Sequence, residues 1–278
     1  MIDVLVAGGG PVGLATAIGC AQAGLSVAVA EPRAVPVDKA CGEGVMPAAV
    51  RRLAALGVTP DGYPLHGIRY LDASHRAEAP FRDGAGLGVR RTVLQAALAA
   101  RAAALGIPVL PARVTSFDRY PGHVGAAGVE ARYLVAADGL HSPIRRALEP
   151  SGRPDPSPPR YGLRRHYRIT PWTDLVEVHW AASSEAYVTP VASDLVGIGL
   201  LFAVPGRNRR GGVDRGPGGG FDTRLSAFPA LLDRLGGAVP ASEVRGAGPL
   251  RQTVRRRVYD RVLLVGDASG YLDALTGE

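Results

Sequence analysis

Gly8-Gly9-Gly10-Pro11-Val12-Gly13 is the stretch that decides the fold. It stands between Ile2-Asp3-Val4-Leu5-Val6-Ala7, a short β-branched apolar run, and a helix-like run of small and apolar residues from Gly13 to Ala23. The spacing is G-x-G-x-x-G, and each glycine has a task. Gly8 allows a tight turn, Gly10 lets the backbone approach a pyrophosphate, and Gly13 lets the helix sit against the strand. The N-terminus of that helix offers unpaired N–H groups and a positive dipole end to phosphate oxygens. Residues 25–30, LSVAVA, make a second strand that closes on Glu31-Pro32. A carboxylate there accepts bonds from ribose hydroxyls and repels a 2′-phosphate. The triplet alone is a weak sign of dinucleotide binding, and the competing reading is a glycine-rich structural turn. Following a strand, opening a helix and finding its acid at the next strand's end make it a strong one.

Working outward, Pro47 to Leu56 and Thr92 to Leu105 have helical spacing and stop at Gly57 and Gly106. Val109 to Phe117 reads as a strand interrupted near Pro111, and Tyr133 to Ala137 as a short strand ending in Asp138-Gly139. The proline-rich stretch from Pro150 to Arg160 marks a crossing between domains. Beyond it, Arg164–Ile169, Leu175–Trp180, Ala186–Val191 and Leu195–Val204 alternate or run apolar between turn residues, which predicts a mainly antiparallel sheet. Arg207 to Gly220 is basic and glycine-rich, expected as a mobile loop, and Leu225–Leu235 as a helix broken near Pro229. Arg261–Val265 is a last buried strand before Gly266-Asp267. The expected fold is α/β. A Rossmann-like βαβ domain, discontinuous over 1–150 and 251–278, flanks a substrate domain of antiparallel sheet over 151–250. The last strand has nothing after it to cover it, so a continuation past Glu278 is expected.

Composition narrows the function. The 278 residues are 46% hydrophobic and 21% charged, enough to bury a core. Cations outnumber anions 32 to 25, and Lys39 is the only lysine among them, the background of a GC-rich genome. The charge is spread along the chain with few aromatics, which argues against nucleic acid and suits an anionic cofactor or substrate. No apolar run reaches the roughly 18 residues of a transmembrane helix, and no secretory leader is visible. Cys20 and Cys41 are too few for a disulfide framework or a cysteine-rich metal site, and no metal-ligand spacing appears elsewhere. A cytoplasmic location is expected.

Two further segments carry a resemblance. Ala136-Ala137-Asp138-Gly139-Leu140-His141-Ser142-Pro143-Ile144-Arg145 contains D-G-x-x-S-x-x-R, and Val262-Leu263-Leu264-Val265-Gly266-Asp267-Ala268 is a strand ending in G-D. With the glycine fingerprint, in this order, they make the chain resemble the para-hydroxybenzoate hydroxylase-like FAD superfamily. That superfamily includes aromatic hydroxylases, flavin halogenases and geranylgeranyl reductases. The resemblance implies an FAD-binding domain in which Gly8, Gly10, Pro11, Val12 and Gly13 hold the pyrophosphate. Glu31, with Pro32 and Arg33 after it, meets the adenosine ribose, and Val114 borders the adenine. Arg91 and Gly266-Asp267 meet the ribityl–phosphate portion. Asp138-Gly139 stands near both FAD and the nicotinamide route, and Thr276-Gly277 beside the isoalloxazine.

The segment from Asp38 to Pro47 resembles the geranylgeranyl-reductase-like branch, where the chain passes along the flavin. Lys39 is then placed to neutralise a phosphate or reduced flavin, with Cys41 and Gly42 beside the ring. Cys41 and Glu43 are candidate catalytic groups, against the alternatives of a small packed residue and a solvated loop acid. On the substrate side, Tyr187 and Pro190 resemble a pocket-side strand. Arg164, His166 and Arg168 alternate on one strand face and Glu177 and His179 on another, as the wet faces of a sheet or as pocket groups.

No Ser-His-Asp arrangement is present, so the chemistry must be the cofactor's. The leading expectation is a monooxygenase. NADPH or NADH reduces the flavin, O2 adds at C4a, and the hydroperoxide passes oxygen to a small aromatic or polyketide-like metabolite. The alternative is a geranylgeranyl-reductase-like enzyme that delivers hydride to a C=C bond, with peripheral membrane contact if the substrate is a polyprenyl lipid. A third reading is a non-catalytic flavin-binding fragment. A halogenase is disfavoured, because Trp172 and Trp180 do not form the paired W-x-W-x-I-P motif.

Overall fold

A computed structural model describes residues 1–149, 158–203 and 219–272. Its first sheet is built on the βαβ unit. Ile2–Ala7 pairs in parallel with Val27–Ala30 on one side and Val129–Ala136 on the other, and Val262–Leu264 continues the parallel order. Val109–Leu110 adds to the far edge, while Val258–Tyr259 and the hairpin of Asp118–Tyr120 and His123–Ala126 are antiparallel additions. Both faces of the central strands are covered, which is why they read as unbroken apolar runs. Val4, Val6 and Val29 face the helix α1 (Pro11–Gln22), while Leu5, Ala7 and Ala28 face the opposite layer.

Pro11 opens α1 at its first turn, where the missing N–H costs nothing. Gly19, inside the same helix, is different from the fingerprint glycines. A Cβ there meets only Leu56 Cδ2 at 4.0 Å. Gly19→Ala is therefore expected to stabilise the protein by about 1 kcal/mol and raise Tm by roughly 2–4 °C. A lowered Tm would contradict this packing.

The second sheet runs, in order, Val239–Pro240, Arg160–Arg168, Leu195–Ala203, Ser184–Ala192, Leu175–Trp180, Gly67–Leu71 and Arg76–Pro80. It is antiparallel except where Gly67–Leu71 lies parallel to Leu175–Trp180. The hairpin of residues 67–80 thus joins the second sheet although it comes from the segment 1–150 expected to belong to the FAD-binding domain alone. Arg69 explains the recruitment. It donates to Glu177 Oε1 at 2.7 Å across the parallel pair and to Glu78 Oε1 at 2.8 Å across the hairpin. A third small sheet joins Gly44–Val45 and Tyr63–Leu65 to Gly86–Gly88.

Two expectations need correction here. The strand read over 109–117 ends at Leu110, and Val114 lies in irregular chain after Pro111, though it is buried. The strand faces taken as wet are largely dry. Arg164, His166, Glu177 and His179 are all buried, and only Arg168 is exposed. Pro229 does break the helical stretch, opening Pro229–Leu235 after Gly219–Leu225, and both helices cover the outer face of the second sheet. Most of the proline-rich crossing and of the basic loop lies outside the described residues. Among the described residues no helix is long and apolar enough to cross a membrane.

Glu177 shows how the outer face tolerates charge. Burial raises its carboxyl, but bonds from His179, Trp172 and Arg69 outweigh this and hold it at about 2, against an ordinary 4.5. A depressed carboxyl stabilises the fold above its unfolded value and loses that contribution as pH falls towards the folded value. By linkage this is roughly 3 kcal/mol between pH 4.5 and 2. Tm of the natural protein should therefore fall more steeply across that window than Tm of Glu177→Gln. Parallel curves would show that the carboxylate is not the group that titrates.

Candidate functional site

The turns at the C-terminal ends of the first sheet's strands enclose a cleft of about 570 Å³. Gly8, Gly10, Pro11 and Val12 line it from the glycine turn, and Glu31, Pro32 and Arg33 from the end of the second strand. Lys39 and Cys41 enter from the following segment, Arg91 from the start of the helix Arg91–Ala104, and Val114 from the irregular chain. Asp138-Gly139 and Gly266-Asp267 complete the wall. Gly13 sits behind the turn, where a Cβ would be 1.8 Å from the Gly8 carbonyl oxygen. Thr276 and Gly277 lie outside the described residues.

The motifs are tied together by their own polar side chains and by Gln95, which the pattern did not single out. Arg145 Nη2 donates to the Leu140 carbonyl at 2.6 Å, and Nη1 to the Asp267 carbonyl at 3.2 Å. The arginine of D-G-x-x-S-x-x-R therefore clamps that loop to the G-D loop. Ser142 caps the short helix Pro143–Leu148 by accepting from Arg145 N at 2.9 Å. Gln95 is buried beneath the glycine turn. Its Nε2 donates to the Gly9 carbonyl at 2.6 Å and its Oε1 accepts from Val37 N at 2.7 Å. Arg113, Leu140, His141, Leu250 and Tyr271 also line the cleft, without a spacing signal in the sequence.

The cleft is electropositive at one end. Lys39, Arg33 and Arg91 face it together. Partial burial, with the neighbouring Arg33 and Arg91 charges, holds the Lys39 ammonium below its ordinary range. Glu31 accepts from Gly9 N at 2.9 Å and from Arg33 Nε at 2.8 Å. Burial pushes its carboxyl up, but these bonds outweigh that and hold it low, so it stays ionised. Asp138 is pushed the other way by burial, and its Oδ1 has no partner among the described residues. Arg91 Nε is likewise buried without one among the described residues.

A second, smaller cavity of about 90 Å³ adjoins the cleft beneath the second sheet. The two share Ala40, Cys41, Ala247, Leu250 and Tyr271 as walls. Gly42 and Tyr187 line the small one, and so do Leu163, Leu200 and Leu201. Tyr187 donates to Glu185 Oε2 at 2.5 Å. Pro190 lines neither cavity, and its carbonyl packs against Gly88.

Glu43 is not the solvated loop acid of the alternative reading. It is 4% exposed and adopts φ 61°, a left-handed conformation that costs a non-glycine residue on the order of 1–2 kcal/mol. Its contacts hold it there. Oε1 accepts from Arg91 N at 3.0 Å, and Oε2 meets His166 Nε2 at 2.5 Å. Glu43 lines neither cavity, so it acts on the site through these neighbours.

No protein-family model matches the chain. Its sequence is 28% identical over 300 residues to digeranylgeranylglycerophospholipid reductase 1 of Methanopyrus kandleri, covering 99% of this chain and 75% of that protein. It is also 28% identical over 304 residues to a menaquinone reductase of Mycolicibacterium smegmatis, covering 99% and 72%. A flavoprotein/dehydrogenase from Cytophaga hutchinsonii superposes with a TM-score of 0.82 at 19% identity, over 99% of this chain and 73% of that one. The chain belongs to the FAD-dependent oxidoreductase superfamily. In this FAD-dependent oxidoreductase, the glycine turn, the D-G loop and the G-D strand end converge on one cleft. From the segment at 38–47, Ala40 and Cys41 stand in the wall that this cleft shares with the small cavity.

Proposed function

We propose that this protein is an FAD-dependent reductase that saturates a carbon–carbon double bond, with Cys41 as the proton donor. The observation that carries the reading is the position of Cys41 in the wall shared by both cavities. Its thiol is pushed up by burial and by the Glu43 charge, so it holds its proton at neutral pH.

The residues present fit FAD. The orphaned Asp138 Oδ1 is an acceptor for a hydroxyl, and the orphaned Arg91 Nε is a donor for a phosphate or carbonyl oxygen. Lys39, Arg33 and Arg91 offset a pyrophosphate, and Gly8 and Gly10 leave room for it. Gly42 and Tyr187 line the small cavity beside Cys41 and would face the substrate there. Reduced FAD supplies a hydride when bound, with NADPH or NADH as its transient source. Saturation then needs a proton on the neighbouring carbon. Cys41 Sγ–H provides it, the Glu43 N–H and the Arg91 and Arg164 charges favour the thiolate left behind, and water in the cleft restores the proton.

The sequence motifs alone suit hydroxylation as well as reduction. The small cavity shifts the weight. Leu163, Leu200, Leu201 and Leu250 wall it beside Cys41, which suits an open-chain alkene. The two curated relatives are named as reductases of a digeranylgeranylglycerophospholipid and of menaquinone, which supports the same direction. A polyprenyl-type substrate would bring the protein to a membrane surface.

Glu31→Gln is expected to weaken FAD binding about tenfold, since an amide keeps one bond to ribose and loses the charge-assisted one. Titration of flavin fluorescence reads this, and unchanged affinity would move the adenosine end elsewhere. The function itself is tested by following NADH and NADPH oxidation with an unsaturated substrate, with and without O2. Substrate-dependent oxidation that proceeds without O2 is expected. A strict requirement for O2 would return the protein to the hydroxylases.

A further inference from the structure

Arg164 lies in the strand Arg160–Arg168, is 2% exposed, and lines the small cavity with Cys41. A guanidinium has five N–H donors and no acceptor. Four are committed. Nη2 donates to the Asp38 carboxylate and, at 2.9 Å, to the Lys39 carbonyl. Nη1 donates to His166 Nδ1 at 3.1 Å and to Ser242 Oγ at 3.4 Å. The fifth, on Nε, is buried and has no partner among the described residues. No other residue lining this cavity carries such an orphan.

The charge around it is already balanced. Asp38 also accepts from Arg245 Nε at 3.4 Å. Because Arg164 can only donate, His166 Nδ1 is an acceptor, and the ring hydrogen sits on Nε2 facing Glu43. Arg164 already has a carboxylate of its own in Asp38, so the remaining donor has no call for an anion. It lacks one neutral acceptor in a cavity otherwise walled by leucines, glycines and alanines, with Cys41, Tyr187 and Tyr271.

We infer that Arg164 Nε–H receives the carbonyl oxygen of a substrate whose double bond is conjugated to that carbonyl, an α,β-unsaturated ketone or ester. The inference rests on the reductase reading. Hydride from the reduced cofactor forms the new C–H bond at the β-carbon. The C=C electron pair moves towards the carbonyl, and the enolate oxygen takes the Arg164 hydrogen bond. The α-carbon then takes the Cys41 proton, the C=O bond is restored, and the product gains two hydrogens. A donor fixed before reaction, where oxygen charge develops, is the arrangement that lowers such a barrier.

The test uses the FAD-loaded full chain in its oxidised form and two short ligands. One is ethylidene acetone with a carbon-13 carbonyl. The other is its isosteric alkene, with an isopropyl group in place of the acetyl. The enone should bind roughly ten- to a hundredfold more tightly, as for a hydrogen bond to a charged group. Its carbonyl stretch should move to lower frequency on binding. Arg164→Lys keeps the charge for Asp38 and removes the Nε donor, so it should abolish the preference and the frequency shift together. Equal binding of the two ligands, or an unshifted stretch, means that the orphan meets only water and overturns the inference. Equal weakening of both ligands by Arg164→Lys does the same, by showing a structural role. If that variant does not fold, the natural protein's preference and stretch decide alone. Enone binding with the shift but no saturation by the reduced protein would leave the anchor standing and defeat the reductase reading. Saturation of isolated alkenes with no carbonyl preference would do the reverse.

Discussion

Gly13→Ala is expected to abolish flavin binding and to destabilise the protein by about 3 kcal/mol or more. The added methyl would stand 1.8 Å from the Gly8 carbonyl oxygen, 3.0 Å from the Gly8 carbonyl carbon and 3.2 Å from Ala137 Cβ. The first two contacts are backbone, so no side chain can swing aside. Gly8 cannot retreat, because it holds φ 111° and its own α-carbon faces the Ala137 carbonyl. Relief requires α1 to lift off Ile2–Ala7, which opens the turn that lines the cleft. Gly19→Ala makes the same chemical change six residues further along the same helix, where the nearest atom is 4.0 Å away, and is expected to stabilise. The pair separates close approach from helix propensity. Melting curves and flavin titration read both. A Gly13→Ala protein that melts with the natural one and stays yellow would show that the turn does not cradle the cofactor.

Cys41→Ala is expected to lower turnover by roughly a hundredfold to ten-thousandfold, the range for a positioned general acid. FAD affinity and the rate of flavin reduction should change little, because neither step uses the thiol proton. The pH dependence carries the sign. The donor works while protonated, and burial raises its pKa above the ordinary thiol value of 9.0. Turnover by the natural protein should therefore persist above that pH and fall only as pH rises through the raised value. The alanine variant should lack that limb. Undiminished turnover in the variant would return Cys41 to a packing role.

The residues that were legible in the sequence act locally. Gly8, Gly13 and Glu31 each do their work within one βαβ unit, so spacing alone exposes them. Asp138-Gly139 and Gly266-Asp267 end strands whose apolar runs are unmistakable. What was hidden depends on partners far along the chain. Arg164 and His166 look like the wet face of a strand until Asp38 and Glu43 arrive from more than a hundred residues away. Glu177 looks the same until Arg69 and Trp172 reach it. A charge is buried only where another element completes its bonding, and alternation along one strand carries no record of that. The hairpin at 67–80 escaped for a related reason, since its place in the sheet is set by pairing with residues 175–179. Gln95 reads as a polar position on a helix, and only the fold reveals that it holds the Gly9 carbonyl from below.

The most direct test of the account is a single turnover without O2. The FAD-loaded protein is reduced to completion, excess reductant and O2 are removed, and an unsaturated substrate is added. The flavin is expected to reoxidise as substrate is consumed, and mass spectrometry to find a product heavier by two hydrogens. One of these comes from the reduced flavin and one exchanges with solvent through Cys41. Flavin that stays reduced until O2 is admitted, followed by a product carrying an oxygen atom from O2, would contradict it.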